Sequence, residues 1–301
     1  MEKPIKEILN REVPETVKDI LDKASDKIDE MVAFGAQILA WELGKKGDDT
    51  DLPPILFLRN LLENADAIGI LIRHSSIEPC KILLRTALEN YCSIEYLVQD
   101  PAKSKQRALC FMVWNYVEHG KWLIKSDKTS REFRELKANY LKDKLMKNSE
   151  PLIVEDAKTK ILGLEELLNT EPYKMIKEEY DLKHSKKRNP AWYSLYGGPD
   201  SVSGLALNVE LPALYEVLYR GWSHSTHGNN IIQGKLKTDS SGMLNIQPLR
   251  LSGEAESMAQ HCMNLVITAY LIYVNMRLPE RKPELLQFYE KIKGYKLSLI
   301  K

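Results

Sequence analysis

Residues Cys80–Val98, CKILLRTALENYCSIEYLV, decide the fold. Leu83, Leu84, Ala87, Leu88, Tyr91, Cys92, Ile94 and Leu97 put apolar side chains on nearly every side of a helical projection. A helix apolar all round belongs at the centre of a bundle. Arg85 and Glu89 are set four residues apart on this apolar surface, and charges so placed need partners, because an isolated buried charge costs several kcal/mol.

Working outward, Ile55 to His74 is a second strongly apolar helix (Leu58, Leu61, Leu62, Ala65, Ile68), broken from the first only at Ser75-Ser76. So short a connection makes the two antiparallel neighbours. A helix of roughly Ser104–Lys125 follows Pro101. Pro14 to Leu43 carries Val17, Ile20, Leu21, Ala24, Ile28 and Met31 at three- and four-residue steps, with Gly44 as its stop and Asp48–Pro54 as a polar loop. Between Asp127 and Pro190 charge density rises, so helices there are expected to be peripheral and solvated. Asn189–Gly204 reads as a loop on turn chemistry. A helix then starts near Asn208 as N-cap and ends at His227-Gly228. Asn229–Leu251 is irregular and has room for a hairpin; helices from about Gly253 to Arg277 and from Glu284 to about Leu297 close the chain. The expected fold is all-α: one bundle-like domain over 1–301, its centre 55–125 plus 208–278, with 1–45, 127–180 and 284–301 packed around it.

The 301 residues carry a net charge of +1, which excludes strong bulk attraction to nucleic acid or anionic lipid and leaves such binding to a local patch. The 44% hydrophobic and 28% charged fractions are those of an ordinary globular protein. No secretory signal core opens the sequence, and Cys262–Met276 is too short and too polar to span a bilayer. A cytoplasmic protein without a membrane partner is expected. Cys80, Cys92, Cys110 and Cys262 have no CxxC spacing and read as small buried hydrophobes. Neither GxGxxG nor GxxxxGK[ST] nor GxSxG occurs, so kinase, P-loop, dinucleotide-dehydrogenase and α/β-hydrolase readings drop out.

Chemistry gathers in the helix near 208–227. Tyr215, Tyr219, Ser223 and His227 recur every fourth position on one slowly rotating face, and Arg220, His224 and His227 fall at i, i+4 and i+7. Gly221 inside this helix costs about 1 kcal/mol against alanine, an expense that makes sense where another backbone approaches closely. Arg85 and Glu89 are expected to find their external partners in this stripe. Such a cluster offers a cation for phosphate, an imidazole for proton transfer and a carboxylate to orient it. The basic run Lys183 to Arg188, with Lys186, Lys187 and Arg188, is a further candidate phosphate contact.

The segment Arg85-Thr86-Ala87-Leu88-Glu89 in a buried helix, followed by Tyr219-x3-Ser223-x3-His227, resembles an all-helical prokaryotic family of unknown function over about 55–125 and 190–278. The pair Arg220-x6-His227 also resembles the R-x4-6-H signature of HEPN domains, helical nucleotide-binding and ribonuclease modules. That resemblance implies metal-independent RNA cleavage by the neighbouring 2′-hydroxyl, often across a homodimer. His227 would be the general acid or base, Arg220 the group that stabilises phosphate charge, and His224 a second proton carrier. Arg85, Glu89, Tyr215, Tyr219 and Ser223 would bind RNA or nucleotide; no cofactor and no metal are expected. The competing reading is a non-catalytic helical module for a protein partner, one half of a defence or toxin–antitoxin pair, in which the stripe is a buried hydrogen-bond network that fixes helix packing.

Overall fold

The first long helix, α1 (Glu15–Leu43), buries Leu21, Ala24, Ile28, Met31 and Ile38 in one line, at alternating three- and four-residue steps with Gly35 in register. Such spacing keeps one seam against neighbouring helices. Gly35 is needed there: a Cβ on it would stand 2.4 Å from Leu62 Cδ2 and against the hydroxyl of Tyr270, which donates to the Met31 carbonyl at 2.6 Å. The sequence places 1–45 among the helices packed around the centre; its buried line makes α1 a wall of the centre itself. The structure is a computed structural model that describes residues 8, 9, 11, 13, 15–186, 189–222, 235–240 and 242–293.

Against α1 pack α2 (Leu52–Arg73) and the helix Ala255–Arg277, and α3 (Cys80–Val98) packs on those two. Asp48 caps a 3-10 turn at Asp49–Asp51, and Pro53-Pro54 then sit in the first turn of α2, where a missing N–H leaves no bond unmade. The break between α2 and α3 falls where Ser75 adopts φ +56°. Among the described residues α3 buries Leu84, Ala87, Leu88, Tyr91, Cys92, Ile94 and Leu97 to within a few per cent, as a helix apolar all round should be. The chain is thus a mostly helical, multi-helix bundle, with charged helices at its surface.

Contacts within the chain divide into two units, 1–104 with 202–301, and 105–201. In the second, α4 (Pro101–Ser126) contributes Leu109, Cys110, Met112 and Val113 to an apolar cluster with Leu168, Tyr173, Ile176, Tyr180 and Leu195. These come from α6 (Ala157–Leu168), α7 (Tyr173–Lys186) and a 3-10 turn at Trp192–Gly197. The intervening α5 (Arg131–Lys142), capped by Ser130, buries only Phe133. Charge density along 127–186 therefore reads correctly as solvated helix surface, yet the tyrosines on the inner faces supply an apolar cluster that charge counting does not reveal.

In the first unit the expected helix from Asn208 is two pieces. Asn208 ends α8 (Val202–Asn208), Glu210 turns at φ +59°, and Pro212 opens α9 (Pro212–Leu214) as its first residue. A π-helix, Tyr215–Arg220, continues from it. Asn208 is no N-cap: its side-chain oxygen accepts from Gln99 Nε2 at 2.8 Å instead. The irregular region does contain a hairpin, β1 (Leu236–Thr238) antiparallel to β2 (Leu244–Ile246), followed by α10 (Ala255–Arg277) and α11 (Lys282–Ile292).

Candidate functional site

Three charged side chains of α3, Arg85, Glu89 and Glu95, interact with the 208–220 segment. Arg85 stacks its guanidinium 3.8 Å above the centroid of the Tyr219 ring, and Tyr219 stacks in turn on Tyr215, centroids 4.9 Å apart and planes 17° from parallel. Two flat groups at those distances cannot share one face of a ring, so Arg85, Tyr219 and Tyr215 form three layers. A cation over a tyrosine face contributes about 0.5–2 kcal/mol as water is withdrawn. Glu89, one turn beyond Arg85, approaches its Nε to 3.9 Å and accepts a hydrogen bond from the Tyr219 hydroxyl.

Burial pushes the Glu89 carboxyl above the ordinary carboxylate range, and the Tyr219 bond and the Arg85 charge pull it only part of the way back. Burial likewise raises the Tyr219 phenol. Arg85 is 14% exposed, and its Nη1 is buried with no hydrogen-bond acceptor. Farther along α3, Glu95 is also pushed up by burial, with a Tyr91 hydrogen bond opposing and the Glu210 charge adding; its Oε2 is buried and unpaired. Buried polar atoms without partners are uncommon in folded proteins and mark a place where a water, ion or reacting group belongs.

Tyr215 and Tyr219 hold the shared face that four-residue spacing gives them, and Arg85 and Glu89 both find Tyr219. Arg220 does not join them. It points to solvent, 67% exposed, and pairs with the exposed Glu216 at 3.1 Å. Successive helical residues point about 100° apart, so Arg220 turns away from the face that carries Tyr219. The ladder here is i→i+5, with Gly221 N bonding Glu216 O at 2.8 Å, one residue farther back than in an α-helix. The Val217 carbonyl, freed from the usual bond, then stands 2.5 Å from where a Gly221 Cβ would lie. The backbone that crowds Gly221 is its own segment's, not another element's. Ser223, His224, His227, Lys187 and Arg188 lie outside the described residues; Lys186 is exposed at the end of α7, in the second unit.

The four cysteines are buried and unbridged, their thiols pushed up to about 12 by burial. Of the remaining described histidines, His74 caps the end of α2, His119 and His184 are exposed, and burial lowers the His261 imidazole. Among the described residues no group of three or more His, Cys, Asp or Glu side chains could hold a metal ion, and no helix is long and apolar enough to cross a membrane. Sequence reading overlooked Lys81, one turn before Arg85 on the same face of α3. It is 14% exposed and paired with Glu78 at 3.0 Å and Glu254 at 2.7 Å. Its four-residue offset from Arg85 was the available signal.

Fold and seam together define a helical bundle protein with a layered arginine–tyrosine–carboxylate cluster on its central helix. Residues 51–243 match the family of unknown function DUF5677, and the chain belongs to that family. The match begins at the start of α2 and ends within the hairpin, so it takes in the whole cluster and leaves out α1 and α10. No curated protein and no solved structure matches the chain.

Proposed function

We propose that this chain processes nucleic acid, as a HEPN-like protein that cleaves RNA without a metal ion. The observation that carries the reading is the α3 cluster: a guanidinium clamped on a tyrosine, one nitrogen lacking an acceptor, beside a carboxyl of raised proton affinity. A cation with an unfilled donor suits a phosphate oxygen, and a carboxyl shifted toward neutral pH suits proton transfer. Arg220 is available as the second cation. Exposed i,i+4 pairs contribute only about 0.3–0.5 kcal/mol, so a phosphate displaces Glu216 readily.

In the reaction the ribose 2′-oxygen gives its proton to a base and attacks the adjacent phosphorus. The bond from phosphorus to the 5′-oxygen breaks, an acid protonates that oxygen, and a 2′,3′-cyclic phosphate and a 5′-hydroxyl result. His227 takes the acid–base role that the HEPN resemblance implies, and Arg220 the charge on phosphorus. Incubation of the purified chain with a mixed RNA pool in excess EDTA tests this. Cyclic-phosphate ends from wild type, and none from His227→Ala or Arg220→Ala, are expected; no cleavage by wild type, or equal cleavage by His227→Ala, removes the reading.

The second reading is a non-catalytic protein-interaction module. It draws on the way Arg85, Glu89 and Tyr219 bond to one another, as a cluster that fixes helix packing would. On that reading His227→Ala lowers the melting temperature by several degrees and leaves partner binding intact.

A further inference from the structure

Lys81 and Arg85 share a face of α3, and beside Lys81 the chain opens a cavity of about 640 Å³. That is within the usual range for small-molecule pockets, roughly 300–1,000 Å³. Ile77, Ile246, Pro248, Leu249 and Leu251 give it an aliphatic wall, and Trp222, two residues past Arg220, an aromatic one. His261 packs edge-on against Trp222 at 5.9 Å and fixes the indole. The polar wall is Lys81, Lys235, Glu78 and Glu254, with Glu78 joining the two lysines at 3.0 and 3.8 Å. Two ammonium groups and two carboxylates sum to zero charge. The lining therefore selects a neutral group with a flat apolar face and an edge of mixed donors and acceptors, rather than an ion.

We infer that this cavity is the base-recognition pocket of the site proposed above, holding a nucleobase against Trp222 with its edge on the Lys81–Glu78–Glu254 network. The inference rests on the nucleic-acid reading and adds its substrate class: a nucleotide whose base lies beside Lys81 and whose phosphate lies toward Arg85. Base–aromatic stacking of this kind contributes enough for about a tenfold change in affinity on loss of one ring. Gly253 also lines the cavity, and a Cβ there meets nothing within 4 Å, so a side chain at 253 grows into open space.

Isothermal titration of the full chain in EDTA tests the inference, with 5′-AMP and 5′-GMP as probes and ribose 5-phosphate as the base-free control. At least one nucleotide should bind wild type and Trp222→Phe about equally, with about tenfold weaker binding to Trp222→Leu and to ribose 5-phosphate. Gly253→Leu should abolish binding at an unchanged melting temperature, which keeps the test decisive if Trp222→Leu fails to fold. Ribose 5-phosphate binding as tightly as both nucleotides, nucleotide binding unaffected in Gly253→Leu, or no nucleotide binding at all overturns the pocket. Trp222-dependent AMP binding without RNA cleavage keeps the pocket and removes the nuclease. Cleavage with KM unchanged in Gly253→Leu does the reverse.

Discussion

Two arginines of the first unit, Arg85 and Arg277, are about equally buried and have opposite surroundings. Arg277 spends its donors on carboxylates: Nε reaches Glu42 Oε1 at 2.7 Å, and Nη2 bonds both Glu42 and Asp51, the latter at 2.8 Å. Glu42 is 3% exposed, and the Glu42 and Asp51 charges help hold Arg277 in its charged form against burial. Arg85 has a single carboxylate, at 3.9 Å, an aromatic ring beneath it and a buried nitrogen with nothing to bond. The first arginine bonds two carboxylates and joins α1 to α10; the second has a buried donor without an acceptor. Each place holds one buried atom without a partner, the Glu42 Oε2 in the first and the Arg85 Nη1 in the second, so it is an unmet donor on a cation, rather than incomplete pairing as such, that marks α3 as the candidate site.

The sharpest way to break the contrast is Arg277→Met. It strands the Glu42 carboxylate inside the bundle, and chemical denaturation should show a loss of about 3–5 kcal/mol. A loss below 1 kcal/mol would mean that the pair is no strut. Arg85→Met should cost less, about 0.5–2 kcal/mol for the cation over Tyr219, while RNA cleavage disappears. Stability loss as large as at Arg277, with cleavage intact, would reverse the two roles.

Glu89→Gln probes the α3 cluster by pH. The folded carboxyl binds its proton more tightly than the unfolded one, whose ordinary value is 4.5. Between 4.5 and the raised folded value the native state holds more protons, so wild-type stability falls as pH rises through that window and is lowest, on this account, at neutral pH. Glu89→Gln should therefore melt higher than wild type at pH 7, with the difference closing toward pH 4.5; a parallel offset at every pH would contradict the assignment. The smallest stability effect is expected for Arg220→Ala, within about 0.5 kcal/mol because its pair with Glu216 is solvated. Its RNA cleavage should nevertheless be lost, with no cyclic-phosphate ends formed.

Local signals carried most of the fold. Ser75-Ser76, Gly44 and Pro101 mark helix ends because serine and glycine suit the turn that closes a helix and proline its first residue, and the apolar circumference of Cys80–Val98 required a central helix. What needed tertiary knowledge was lost. Glu42 and Arg277 lie 235 residues apart, and nothing in either neighbourhood names the other. The apolar line of α1 shows in the sequence, but whether it is a wall or a cover depends on what closes over it. In the candidate site, four-residue spacing found the Tyr215–Tyr219 face and the Arg85–Glu89 pair. It gathered Arg220 into the same cluster although the next residue along a helix points about 100° away from Tyr219. The slip from i+4 to i+5 bonding showed only in Gly221, whose crowded carbonyl neighbour was attributed to another element.

That slip has a consequence for how the segment varies. A π-turn is an α-turn carrying one extra residue, and its ladder closes with or without it. Deleting Val217, which is exposed, would let Tyr215–Arg220 rewind as an α-helix with no backbone bond lost. The rings of Tyr215 and Tyr219 would then stand three residues apart instead of four, while the residues after the deletion keep their facing, because an α-turn with one residue fewer completes about the same rotation as the π-turn. The length of this short stretch is thus a dial: one residue fewer resets the layered stack on Arg85 while Arg220 and the four-helix core are left as they are.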